Sequence, residues 1–187
     1  MHPLKKIVVI GPESTGKSTL CRQLSEYYNT LWCREYAREY LLTHGTDYSY
    51  ANLLEIARGQ IALEDHTAEL VLEKYTNKSP LQNPLLFVDT DMYVMKVWCE
   101  FVFHQCHQWI IDQIAIRRYD LYLLCNTDLP WVKDELREYP DFQTRERLFL
   151  IYRNIMINQE TPWVTISGDD DVRFEIAKQA IEKQLGI

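Results

Sequence analysis

Gly11-Pro12-Glu13-Ser14-Thr15-Gly16-Lys17-Ser18 stands directly after the β-branched run Lys5–Ile10 (KKIVVI) and directly before Thr19–Tyr28, where Leu20, Leu24, Tyr27 and Tyr28 recur at helical spacing. A strand, then G-x-x-x-x-G-K-S, then an amphipathic helix is the context in which this pattern folds as a phosphate loop. The glycines let the backbone curl so that several N–H groups point at one phosphate, and the helix that follows adds its positive end. Lys17 is placed to neutralise β/γ oxygens and Ser18 to hold Mg²⁺ by its hydroxyl. Gly11, Glu13, Ser14, Thr15, Gly16, Lys17, Ser18 and Thr19 are therefore the candidate contacts for ATP.

A phosphate loop of this kind needs a sheet around it, and the rest of the chain supplies the pattern. Leu85–Val88, Asp120–Cys125 (DLYLLC) and Trp163–Ile166 read as strands, with a further one over Thr30–Cys33. Helical patterns fall at Trp32–Leu42, Leu53–Tyr75, Arg145–Asn158 and Val172–Leu185. In the long pattern Leu54, Ala57, Ile61, Ala68, Leu72 and Tyr75 share a face, and Glu64 and Asp65 read as its solvated edge, with a cleft beside Gln60 as the other reading. Asn77–Pro84 reads as a turn. Strands alternating with helices predict an α/β fold of P-loop NTPase type, a mostly parallel sheet flanked by helices. With 187 residues, 47% hydrophobic and 25% charged, the chain suits one domain over 1–187. Leu129–Thr144 breaks the alternation with Pro130, Pro140 and many charges. It reads as a mobile segment, and with the helix start beyond it as a helical lid over roughly 129–147.

Net charge −7 and a pI near 5.2 exclude the basic footprint of a duplex-DNA binder, so no nucleic-acid partner is expected. The first apolar run, Ile7–Ile10, is far short of the ~20 residues of a membrane span, and Met1–Lys6 ahead of it does not read as a signal peptide. Cys21, Cys33, Cys99, Cys106 and Cys125 form no CxxC pair and suit reduced thiols in a cytoplasm. Cys99, His104, Cys106 and His107 fit no common zinc spacing and read as packing.

The metal-side carboxylate expected beside a phosphate loop is Asp89, which closes the apolar run LLFVD. Asp91 is either a second functional carboxylate or a helix N-cap. Asn126-Thr127-Asp128 does not match the NKxD guanine motif, which turns the reading from GTPases toward small-molecule kinases. There a charged lid carries arginines that clamp the transferring group and exclude water. Arg137, Arg145 and Arg147 are the candidates. A regulatory module that binds ATP without transferring phosphate is the competing reading.

Taken together, GPESTGKSTL, EYAREYL (Glu35–Leu41), FVDTD (Phe87–Asp91) and TDLPWVKDELRE (Thr127–Glu138) resemble the NadR-type ATPase/kinase family over residues Ile7 to about Phe174. That family includes the ribosylnicotinamide kinase domain of the bifunctional nicotinamide-nucleotide adenylyltransferase. The resemblance implies a nucleoside-kinase-like P-loop fold and ATP-dependent phosphorylation of the 5′-hydroxyl of nicotinamide riboside. It implies that Glu35, Tyr36, Arg38, Asp91 and Trp131 contact the small-molecule nucleoside. It also implies that Arg137 serves the lid and that Arg173, after Ser167-Gly168-Asp169, lies near the adenine. Lys17, Asp89, Glu35 and Arg137 are the candidate catalytic residues, with Asp89 and Glu35 competing for the role of base and Ser18 and Asp89 for Mg²⁺. No segment of the chain resembles the adenylyltransferase or a DNA-binding domain, so a stand-alone kinase is expected.

Overall fold

The computed structural model of the chain describes residues 4–76 and 84–186. Its elements are β1 (Lys5–Ile10), α1 (Lys17–Tyr27), β2 (Leu31–Cys33), α2 (Tyr36–His44), α3 (Tyr50–Thr76) and β3 (Leu85–Asp89). There follow α4 (Met92–Phe103), α5 (Gln108–Ile116), β4 (Leu121–Cys125), α6 (Phe142–Ile157), β5 (Trp163–Ile166) and α7 (Asp170–Leu185). Among the described residues the strands form one sheet in the order β2-β3-β1-β4-β5, and every neighbouring pair is parallel.

Parity decides which face each strand residue buries. Ile7 lies level with Phe87 and Leu121, and Val8 with Val88 and Tyr122. Ile7, Val9, Phe87 and Leu123 pack with Leu20 and Leu24 of α1 and with Ala177 and Ile181 of α7. Val8, Ile10, Val88 and Leu124 pack on the opposite face with Val71 of α3, Val97 of α4 and Leu148 and Met156 of α6. Both faces are covered, so the central strands are apolar along nearly their whole length. In such a sheet the crevice for ligands opens beyond the carboxyl ends of the strands, and that is where the phosphate loop, Arg34-Glu35 and Asp89 come together.

Three expectations change in detail. The pattern at Trp32–Leu42 divides into the strand β2 and the helix α2, because Trp32 pairs level with Phe87 in the sheet. The buried stripe of α3 runs through Leu53, Ile56, Gln60, Glu64, Thr67 and Val71, so Glu64 is an interior residue and not a solvated edge. Its carboxylate accepts from Lys6 (2.7 Å), Arg117 (3.0 Å) and Tyr119 (2.8 Å), which is what allows a charge there. The lid segment is irregular up to Asp141 and helical only from Phe142, where Asp141 caps α6 by accepting from Thr144 N. His107 bonds the Tyr50 carbonyl oxygen (2.9 Å) and stacks on its ring, which is packing. The turn over Asn77–Pro84 lies outside the described residues except for Pro84. No helix among the described residues is long and apolar enough to cross a membrane.

Candidate active site

The phosphate loop is shaped by one close approach. A Cβ on Gly11, at φ +139°, would lie 2.6 Å from the Cys125 carbonyl oxygen at the end of β4, so only glycine lets the chain leave the sheet here. Thr15 Oγ1 and Lys17 Nζ both donate to the Pro12 carbonyl, at 2.8 and 2.9 Å, and tie the loop to itself. α4, α6 and α7 begin with aspartate side chains that accept their first N–H groups, whereas no side chain caps α1. The opening N–H groups of α1 therefore stay free for an anion.

Asp89 sits behind the loop, fully buried, and Ser18 Oγ donates to its Oδ2 at 2.5 Å. Among the described residues its buried Oδ1 has no hydrogen-bond partner, and neither has the buried hydroxyl of Thr90 beside it. Burial, and then the nearby Glu35 carboxylate, push the Asp89 carboxyl up to about 7, against the pull of Lys17 and the Ser18 hydrogen bond. A hydroxyl oxygen and an orphaned carboxylate oxygen at the foot of a phosphate loop are the donor set a hard divalent cation takes. The pair Ser18 and Asp89 fits Mg²⁺.

In front of the loop one cavity of about 440 Å³ runs from residues 11–19 to a largely apolar chamber, within the size range of small-ligand sites. Glu35 and Arg38 line it from the start of α2, Val94, Val97, Trp98 and Phe101 from α4, and Leu148 and Tyr152 from α6. The segment 134–139 covers it and contributes Arg137. Contacts on two sides hold this cover down, besides the Tyr48 hydroxyl donating to Glu138 Oε2 at 3.1 Å. Arg38 pairs with Asp134 through two hydrogen bonds of 3.1 and 3.0 Å across the mouth. On the other side Glu13 accepts from Trp131 Nε1 (3.2 Å), Glu138 N (2.9 Å) and Tyr139 N (2.7 Å).

That second contact carries a prediction. Hydrogen bonds to a charged group contribute about 1.5–3 kcal/mol, so Glu13→Ala is expected to speed exchange of the Glu138 and Tyr139 amides by roughly 10- to 100-fold. Hydrogen–deuterium exchange measures it directly, and unchanged protection at those two amides would show that the loop does not hold the lid.

The structure thus brings Gly11, Glu13–Thr19, Glu35, Arg38 and Arg137 to one cavity, with Asp89 behind Ser18. Four expected site residues are placed elsewhere. Tyr36 turns its ring onto α3 at Gly59 and packs, half-buried, against the core. Asp91 is 2% exposed and caps α4, Oδ1 accepting from Tyr93 N and Val94 N and Oδ2 from Tyr122 OH. Trp131 lies on the lip of the loop against Glu13. Arg173 is 3% exposed, ion-paired to Asp128 and bonded to the carbonyls of Thr15, Asn126 and Gly168, so it braces the loop from behind and offers no edge to a base. Of the other lid arginines, Arg145 bonds the Ser14 and Leu129 carbonyls and Arg147 lies over the Phe101 ring. Trp98 and Tyr152 also line the cavity, and helical spacing does not single them out. Trp98 is fixed by donating from Nε1 to Tyr48 OH at 2.8 Å, a contact fifty residues away in sequence.

Comparisons with known proteins bear on the family and the fold. Residues 6–173 match the AAA domain family AAA_28. The chain is 27% identical over 188 residues to the trifunctional NAD biosynthesis/regulator protein NadR of Escherichia coli K12, covering 98% of this chain and 43% of that protein. It spans less than half the length of the curated relatives it matches. A crystal structure of NadR in complex with NR superposes with a TM-score of 0.76 at 22% identity, over 98% of this chain and 52% of that one. Thymidylate kinase from Ehrlichia chaffeensis superposes with a TM-score of 0.60 at 16% identity, over 94% and 98%. Such likenesses bear out the P-loop fold and the resemblance to NadR-type proteins.

Proposed function

The chain belongs to the AAA domain family that it matches over residues 6–173, and from that premise we propose that it is an ATP-dependent kinase of a small nucleoside-type alcohol. Nicotinamide riboside is the first acceptor we assign, giving nicotinamide mononucleotide and ADP. One observation carries the reading: a single cavity joins the phosphate loop to an aromatic-walled chamber, with Glu35 lining it. The NadR relatives, one of them solved in complex with NR, support the choice of acceptor.

The residues divide the work by position. Residues 11–18 receive the ATP phosphates, and Lys17 balances charge on the oxygens of the transferring group. Ser18 and Asp89 would hold Mg²⁺, which when bound neutralises phosphate charge. Trp98 offers a flat apolar face to the acceptor's ring. As the acceptor oxygen bonds to the γ-phosphorus, the bond from that phosphorus to the β-γ bridging oxygen breaks and ADP leaves. The acceptor's proton passes to a carboxylate. Glu35 lines the cavity and Asp89 is buried behind Ser18, so the base role goes to Glu35. Arg137, on the cover, faces the developing negative charge, and closure of the cover excludes water. All five thiols are free, which suits the reducing cytoplasm. One domain over 1–187 completes the proposal.

Mg-ATP with a nucleoside panel led by nicotinamide riboside tests it, with ADP release followed and the product identified by mass. Acceptor-dependent ADP with nicotinamide mononucleotide as product is the expected result. ATP binding without acceptor-dependent ADP across the panel would overturn the kinase reading in favour of the regulatory module. Turnover with a different nucleoside would correct the acceptor alone.

A further inference from the structure

Glu35 is the residue on which the proposed chemistry turns, yet it stands at a junction with little of its own to hold it. It precedes α2 as an N-cap position at φ −69°, ψ 110°, and its side chain makes no capping hydrogen bond. The peptide groups on either side of it, however, are held by one side chain from the middle of α3. Gln60 Oε1 accepts from Tyr36 N at 2.8 Å, and Gln60 Nε2 donates to the Arg34 carbonyl at 3.2 Å. The same Nε2 lies 3.5 Å from the Asp89 carbonyl oxygen and 3.4 Å from Cys33 Sγ. Gln60 is 1% exposed. Its neighbour Gly59 completes the seat, because a Cβ there would come within 2.1–2.5 Å of three ring atoms of Tyr36.

We propose that Gln60 is the positioning residue for Glu35: its carboxamide clamps the two peptide groups flanking Glu35 and ties them to the end of β3, so that Glu35 lines the cavity within reach of the acceptor. This rests on the kinase reading above. The chemistry of the side chain is specific to the task. The clamp needs an acceptor and a donor on one planar group at the same depth, which the carboxamide provides. Glutamate would turn a carboxylate toward two carbonyl oxygens. An apolar residue would leave Tyr36 N and the Arg34 carbonyl buried without partners. Asparagine is one methylene short of reaching both. A buried amide is costly to place, and a helix needing only to pack against the sheet would carry leucine there.

The test uses Gln60→Met, close in volume and without the amide, alone and combined with Glu35→Gln. A misplacement of about 1 Å at a reacting group costs about a hundredfold in rate. The kcat for acceptor-dependent transfer is therefore expected to fall roughly 10- to 100-fold, with KM for ATP within about twofold. In the Glu35→Gln background the same substitution is expected to change kcat less than about twofold, because the residue it acts through is gone. A crystal structure of Gln60→Met is expected to show Glu35 displaced from the cavity. If Gln60→Met retains kcat, or if the two losses multiply, Gln60 is structural only and the kinase reading stands. If the unsubstituted protein shows no acceptor-dependent turnover, the kinase reading fails, and an unmoved Glu35 in the variant crystal overturns this proposal separately. Should Gln60→Met not fold, Gln60→Asn, which keeps the amide and withdraws it, is measured in its place under the same criteria.

Discussion

Lys17→Ala is expected to reduce acceptor-dependent ADP formation by about a thousandfold, the upper range for loss of one preorganised charge-stabilising group, and to leave the fold in place. Both halves follow from where Lys17 sits. It opens α1 and lines the cavity, and its ammonium donates to the Pro12 carbonyl at 2.9 Å. Removing that bond costs about 1 kcal/mol, against a core that does not include the side chain. What is lost is the cation nearest the place where phosphate oxygens gather negative charge during transfer. Steady-state kinetics and a thermal melt on the same sample separate the two effects. Turnover within tenfold of the unsubstituted protein would sink the assignment of residues 11–18 as the phosphate site. A large fall in melting temperature would show that the loop is held by Lys17 and not by Gly11 and Thr15.

Much of this architecture was legible in the residues because it is governed locally. The phosphate loop is contiguous and needs only its own glycines and the elements on either side. β1, β3 and β4 are apolar on both faces, so their runs are unbroken and easily seen. The acceptor side was less legible, since its residues are chosen by distant partners. EYAREYL marks a helix near the site, but the face it turns inward is set by Gly59 and Gln60, more than twenty residues on. Tyr36 therefore packs away while Glu35 and Arg38 line the cavity. Arg173 follows the last strand as an adenine contact would, yet Thr15, Asn126 and Asp128 converge on it from two other loops and draw it inside. Asp91 carried both readings, and the Tyr122 hydroxyl, thirty-one residues away, takes the oxygen that a ligand would have used. Glu64 interrupts an apolar period and reads with Asp65 as an edge, with a cleft beside Gln60 as the other reading. Gln60 and Glu64 are buried because each has several partners, and partners of that kind leave no periodic trace.

Asp89→Asn is expected to act on stability and activity with opposite signs. In the folded protein without nucleotide or metal, burial and then Glu35 raise this carboxyl to about 7. In the unfolded chain it titrates near 3.9. Below about pH 4 both states hold the proton and the group contributes no difference. Between about pH 4 and 7 only the folded state holds it, so stability falls as pH rises, and above 7 the full cost of an ionised buried carboxylate remains. A shift of this size corresponds to a few kcal/mol at most. Asparagine keeps an oxygen to accept from Ser18 Oγ and carries no charge, so at pH 8 the variant is expected to melt higher by roughly 2–4 °C per kcal/mol recovered. The gain shrinks toward pH 5. Asp91, pushed to about 6 by burial, retains part of the slope in both proteins. Turnover moves the other way, with a loss of at least about a hundredfold, because a neutral amide no longer supplies the negative oxygen behind Ser18. Melting curves at pH 5 and pH 8 beside kinetics at pH 8 decide the matter. A variant that melts no higher at pH 8 than the unsubstituted protein would show that Asp89 does not carry this cost. One that keeps its rate would show that the carboxylate is dispensable. Both results as expected would mean that the fold tolerates an unfavourable charge at the end of β3 because the reaction needs it there.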